Sequence, residues 1–182
     1  MAFEPPSAGF VLDWRALAQM RERGIGFATI THAAGLSSTG DPGLDALLPF
    51  DEPYRIPVST AAAIGRTRER GGRIMAIGTT VVRALEHAAH LDGVVRAGDA
   101  LADLRIDGSR PLRVVDAILS GTHERGTSHH ELLRAFAGDA LLCRIDEELN
   151  ANGYRTHEYG DSVFVEVARP ARQASELLSR AG

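Results

Sequence analysis

What most constrains this chain is an alternation of short apolar runs of strand type with longer helical segments, separated by polar, glycine-bearing turns. Asp13 stands where an N-cap belongs, before a helix to residue 23 with Trp14, Leu17, Ala18 and Met20 on or near one face and Gly24 ending it. Residues 25–31 (IGFATIT) read as a strand and 33–50, rich in Gly, Ser, Asp and Pro, as a long loop. A loop that long inside a compact domain is usually functional. A helix over 60–70 ends at Gly71-Gly72, a buried strand covers 73–77, and a helix over 81–90 turns Val81, Val82, Leu85, Ala88 and Ala89 inward. Residues 92–111 give no clear element. A strand over 112–119, helices near 131–137 and 139–150, a strand over 162–167 and a short helix after Pro170 complete the reading. Strands alternating with helices predict an α/β fold, a mainly parallel sheet flanked by helices, in a single domain spanning residues 1–182.

Ligands of such sheets bind outside the carboxyl ends of the strands. Three polar loops follow predicted strands, beginning at His32, Gly78 and Ser120, and parallel strands would bring them to one edge.

Composition excludes several alternatives. No stretch approaches the roughly 18 apolar residues of a membrane helix, and the first residues lack the basic and apolar regions of a secretory signal. The single cysteine, Cys143, has no internal disulfide partner and reads as a small core residue, which fits a reducing, cytoplasmic setting. The formal charge of −4 gives no general affinity for nucleic acid. Arg66, Arg68, Arg70 and Arg73 form a local basic cluster that reads as a solvated helix end.

The most informative block is Gly78-Thr79-Thr80-Val81-Val82-Arg83-Ala84-Leu85-Glu86. Glycine permits a tight strand-to-helix turn, the threonines can cap the helix, and free N–H groups at a helix start attract anions. Arg83, one turn in, could clamp a carboxylate or phosphate. On pattern alone, a capped helix with a surface Arg83–Glu86 pair is the commoner meaning.

Other blocks stand in order around it: Pro6-Ser7-Ala8-Gly9, Thr31-His32, Glu52 and Tyr54, Val114-Val115-Asp116-Ala117, His123, Thr127-Ser128, Ala135-Phe136-Ala137-Gly138 and Tyr159-Gly160-Asp161. Together they resemble the carboxy-terminal half of the S-adenosylmethionine:tRNA ribosyltransferase-isomerases of queuosine biosynthesis, from about residue 5 to 167. The family's first half, with its inserted β-barrel domain, has no counterpart. Departures fall in the loops: Val11 where the family has a histidine, His32-Ala33-Ala34-Gly35-Leu36-Ser37 for a glycine-rich loop, and Gly121-Thr122-His123-Glu124-Arg125 for Asn-Phe-His-Leu-Pro.

The resemblance implies transfer of the ribosyl group of S-adenosylmethionine to a 7-aminomethyl-7-deazaguanine base in tRNA, giving epoxyqueuosine with release of adenine and methionine. It implies S-adenosylmethionine as substrate, tRNA as partner and no metal. Such a reaction needs a holder for the methionine carboxylate, a base for a proton acidified by the sulfonium, and an acid for departing adenine; histidine serves either way near neutral pH. Binding candidates are Gly78, Thr79, Thr80, Arg83, Thr127 and Ser128. Catalytic candidates are His32, His123, Glu52 and Asp116, although Asp116 also reads as a hydrogen-bonded strand residue and Tyr159-Gly160-Asp161 as a turn. Two rivals stand beside this: a metal site using His123, His129, His130 and Glu131, which adjacent His129 and His130 oppose because they cannot face one way on a helix, and a repurposed nucleoside- or adenosyl-binding module, or a piece that needs a barrel partner.

Overall fold

Helix α1 (Trp14–Glu22) starts where Asp13 accepts a hydrogen bond from the Ala16 N–H at 2.7 Å, as the sequence predicts. The computed structural model describes residues 7–33, 35, 40–155 and 161–167. The helix expected after Pro170, and Pro6, Tyr159 and Gly160 of the family blocks, lie outside these residues.

Strands form two three-stranded sheets. In the first, β1 (Thr31–His32), β2 (Glu52–Ile56) and β4 (Gly98–Ala102) pair antiparallel in the order β1-β2-β4. In the second, β3 (Met75–Ile77) and β5 (Ala117–Gly121) are parallel, and β6 (Ser162–Glu166) joins β5 antiparallel. The α/β class holds, but parallel pairing is confined to β3 and β5, so the sheet is not mainly parallel. Residues 25–30 are not a strand, since only Thr31 of that run joins one.

The expected strand over 112–119 begins only at Ala117. The buried Glu86 carboxylate accepts the N–H groups of Arg113, Val114 and Val115 at 2.8–2.9 Å, which removes them from any ladder. Glu86 is therefore not half of a surface pair with Arg83; both are buried and point to different partners.

The remaining helices are α2 (Pro42–Asp45), α3 (Val58–Glu69), α5 (Ser128–Leu133) and α6 (Asp139–Ala151) around a central α4 (Thr79–Ala88). Helix α4 touches both sheets and buries Val82 through Glu86 without a break. The core gathers Ile56, Ile64, Val82, Leu85, Ile118 and Leu132 between the sheets and helices. Each such side chain contributes about 1.5–3 kcal/mol by leaving water. A helix buried on this scale must pair every charge it carries, and that requirement shapes the site.

Candidate active site

Gly78 ends β3 and opens α4 at φ 91° and ψ 150°, backbone that side chains avoid. Its N–H bonds Leu119 O at 2.8 Å, fixing the turn against β5. Neither threonine caps the helix, contrary to expectation: Gly78 is the N-cap, and Thr79 and Thr80 are its first two residues. The N–H groups of Thr79, Thr80 and Val81 consequently have no partner among the described residues.

Arg83 lies one turn further, 3% exposed. Its guanidinium donates to the carbonyls of Phe50 and Ala102 at 3.0 Å and Leu104 at 3.3 Å. Nη1 sits 2.6 Å from Glu52 Oε2, an ionic contact outside hydrogen-bond geometry. The other Glu52 oxygen accepts the Gly35 N–H at 3.0 Å. Because β1 and β2 are antiparallel, the start of β2 lies beside the end of β1 and brings Glu52 next to His32. His32 Nδ1 is buried without a hydrogen-bond partner among the described residues. Burial lowers the His32 pKa from its ordinary 6.5, with the Glu52 charge opposing.

The third loop supplies His123, whose Nε2 shares a 3.1 Å hydrogen bond with Ser120 Oγ. Its ring lies 4.6 Å, centroid to centroid, from that of His129 on α5. His129 and Ser128 share a small recess with Glu52, Thr79, Thr80 and Arg83. Burial lowers the His129 pKa most, Glu52 opposes, and Arg83 adds to the lowering.

The structure thus brings together His32, Glu52, Thr79, Thr80, Arg83, Ser128 and, through His129, His123. The loops beginning at His32, Gly78 and Ser120 converge as expected, though the first arrives by an antiparallel route. Thr127 is occupied as the N-cap of α5, donating to Glu124 O and accepting the His130 N–H. Asp116 is not in the cluster. It sits at the opposite end of β5, where its carboxylate accepts the Ile74 N–H at 2.8 Å, beside a cleft of about 250 Å³ that no other expected site residue lines. The roomier cavity is therefore not where the chemistry-bearing side chains meet.

In the sequence His129 stands out only as a possible metal ligand, and nothing but its position after Ser128 points to the recess. Its neighbour His130 turns away, with Nε2 3.4 Å from Asp146, and among the described residues no three metal-type ligands converge.

The family model described as "Queuosine biosynthesis protein" matches residues 1–165. The chain belongs to this family. Its relatives include S-adenosylmethionine:tRNA ribosyltransferase-isomerases of Citrifermentans bemidjiense, 38% identical over 90% of this chain and 49% of that protein, and of Geobacter sulfurreducens, 36% identical over the same shares. The crystal structure of the Thermotoga maritima S-adenosylmethionine tRNA ribosyltransferase superposes with a TM-score of 0.70 at 27% identity, covering 86% of this chain and 50% of that one. The chain spans about half the length of the family members it matches. No helix among the described residues is long and apolar enough to cross a membrane.

Proposed function

We propose that this chain handles S-adenosylmethionine in a tRNA ribosyltransferase-isomerase of queuosine biosynthesis, acting with the half of the family's length that it does not span. The observation that carries this is one recess lined by Glu52, Thr79, Thr80, Arg83, Ser128 and His129, with His32 within reach of the Glu52 charge and the His123 ring 4.6 Å from that of His129. The unpartnered N–H groups opening α4 suit the methionine carboxylate, since backbone donors and the helix dipole both favour an anion there. His32 and His129, kept neutral at pH 7 by burial, suit removal of the proton beside the sulfonium. His123, oriented by Ser120 and with its ring tilted against that of His129, suits proton delivery to departing adenine.

In this reading Arg83 and Glu52 are positioning residues. Arg83 ties α4 to the carbonyls of residues 50, 102 and 104, and Glu52 links it to Gly35 next to His32. The base accepting the ribosyl group is carried by tRNA, whose modification places the reaction in the cytoplasm.

The test is release of adenine and methionine from S-adenosylmethionine in the presence of tRNA bearing 7-aminomethyl-7-deazaguanine, with the other half of a relative supplied. His32→Ala and His129→Ala should each slow release by about 100-fold or more, as loss of a positioned acid or base does. Release indifferent to both substitutions refutes the assignment.

A further inference from the structure

The loop that carries His123 and the helix that carries His129 share a neighbour, Asp146 on α6. Arg125, two residues after His123, donates from Nε to Asp146 Oδ2. His130, the residue after His129, brings Nε2 to 3.4 Å from the same oxygen. The Asp146 side chain is 16% exposed and that of His130 9%. Neither ring nitrogen of His130 has a hydrogen-bond partner among the described residues, so a buried polar ring is left facing this carboxylate. Arg125 lies along α6 as well: Asp146 first, and Cys143 less than a turn before it, raise the pKa of its guanidinium.

The positions of these contacts make them matter for the site. Helix α5 is only six residues long, and consecutive residues on a helix point about 100° apart. Holding His130 against α6 therefore sets the direction of His129 into the recess that Glu52, Thr79, Thr80 and Arg83 line. On the loop, the Thr122 hydroxyl donates to Arg155 O at 2.7 Å before His123, and Thr127 caps α5 after it. Arg125 ties the stretch between them to α6. Residues 121–125 depart from the family's sequence at every position except His123, so this tie belongs to the chain itself.

We propose that Asp146 is a positioning residue whose carboxylate, through Arg125 and His130, holds the His123 and His129 rings in the tilted contact they make at 4.6 Å between centroids. It touches no reacting atom and acts only through its two neighbours. The proposal rests on the reading of His123 and His129 given above and deepens it. Groups that exchange protons with a substrate need close placement, since a displacement of about 1 Å can cost roughly 100-fold in rate.

The test is made first on the 182-residue chain carrying isotope-labelled histidine. Nuclear Overhauser transfer between the His123 and His129 rings should be seen in the unaltered chain and lost in both Asp146→Ala and Arg125→Gln. Alanine is the best helix former, so α6 should remain helical. The Arg125 side chain is 57% exposed, so its replacement keeps the fold even where Asp146→Ala costs stability. Asp99→Asn, which breaks a different exposed pair with Arg55, should leave the transfer unchanged. In the adenine-release assay, on protein shown fully folded by circular dichroism, Asp146→Ala should lower kcat by roughly ten- to 100-fold with KM unchanged, and Asp146→Glu should recover part of the loss. Ring-to-ring transfer that survives either substitution overturns the proposal, and so does transfer lost with kcat unchanged. No adenine release from the unaltered chain would refute the functional reading instead, and the ring contact would still decide whether Asp146 sets the two histidines.

Discussion

Replacing Arg83 with Met tests whether this side chain organises the site. The arginine and Glu52 side chains are 4% and 8% exposed, so each relies on the other to offset desolvation. Methionine keeps most of the stem's volume, which limits the cavity contribution. The substitution leaves the Glu52 carboxylate buried with, among the described residues, the Gly35 N–H as its one donor, and strips a donor from the carbonyls of Phe50, Ala102 and Leu104. Breaking one side of a buried pair costs about 3–5 kcal/mol. For a chain of this size that corresponds to a fall in Tm of roughly 6–20 °C. Urea denaturation of Arg83→Met, Glu52→Gln and the double variant measures both the loss and the coupling. The double variant should cost less than the sum of the singles by about 0.5–3 kcal/mol, because the second change removes the charge that the first left stranded. A loss below about 1 kcal/mol in Arg83→Met, with strictly additive singles, would refute the positioning role.

Other expectations follow from the same geometry. Glu86→Ala withdraws the acceptor of three N–H groups around buried Val114 and Val115, and should cost at least about 3 kcal/mol by urea denaturation, whereas Glu86→Gln should retain part of this. Gly78→Ala meets no steric obstacle, its nearest neighbour being Ala8 Cβ at 3.9 Å, but its backbone demands φ 91°, so a loss of about 1–3 kcal/mol is expected. His32 and His129 have pKa values lowered by folding, so the unfolded chain binds more protons than the folded one below its ordinary 6.5. Stability should therefore be insensitive to these groups above about pH 7 and fall as pH drops through 6.5 towards the folded values, a slope that shrinks in His32→Ala and His129→Ala.

The parts of the fold legible in the sequence are those whose signals are local. Asp13 announces α1, and Gly78 announces the turn that opens α4, because cap chemistry and positive φ leave their mark on residue type. Strand β2 was hidden by its own residues. Glu52, Tyr54 and Ile56 face inward at the proper alternation, but a buried carboxylate and Pro53 in the central strand disguise the pattern. Strand β4, Gly-Asp-Ala-Leu-Ala, carries little strand propensity and is held by pairing to β2. Conversely, Arg113 to Val115 look like strand and are not, because a carboxylate 27 residues earlier takes their N–H groups. Residues 25–30 look like strand and have no strand neighbour among the described residues. Of the site, His32, Glu52, the Gly78–Arg83 turn and His123 were readable as blocks in family order. Which of them touch was not, since the meeting of Arg83 with Glu52 depends on an antiparallel sheet that no local signal specified.

The account turns on whether the recess at the start of α4 receives S-adenosylmethionine, and titration calorimetry with Thr80→Glu asks this most directly. An acidic residue in the first turn favours the helix itself, so the fold should stay intact while the added charge repels the methionine carboxylate. The account predicts that the chain binds S-adenosylmethionine with a dissociation constant on the order of micromolar, and that Thr80→Glu weakens it at least about tenfold. Equal affinity in the two proteins, or no heat at millimolar ligand, would contradict it.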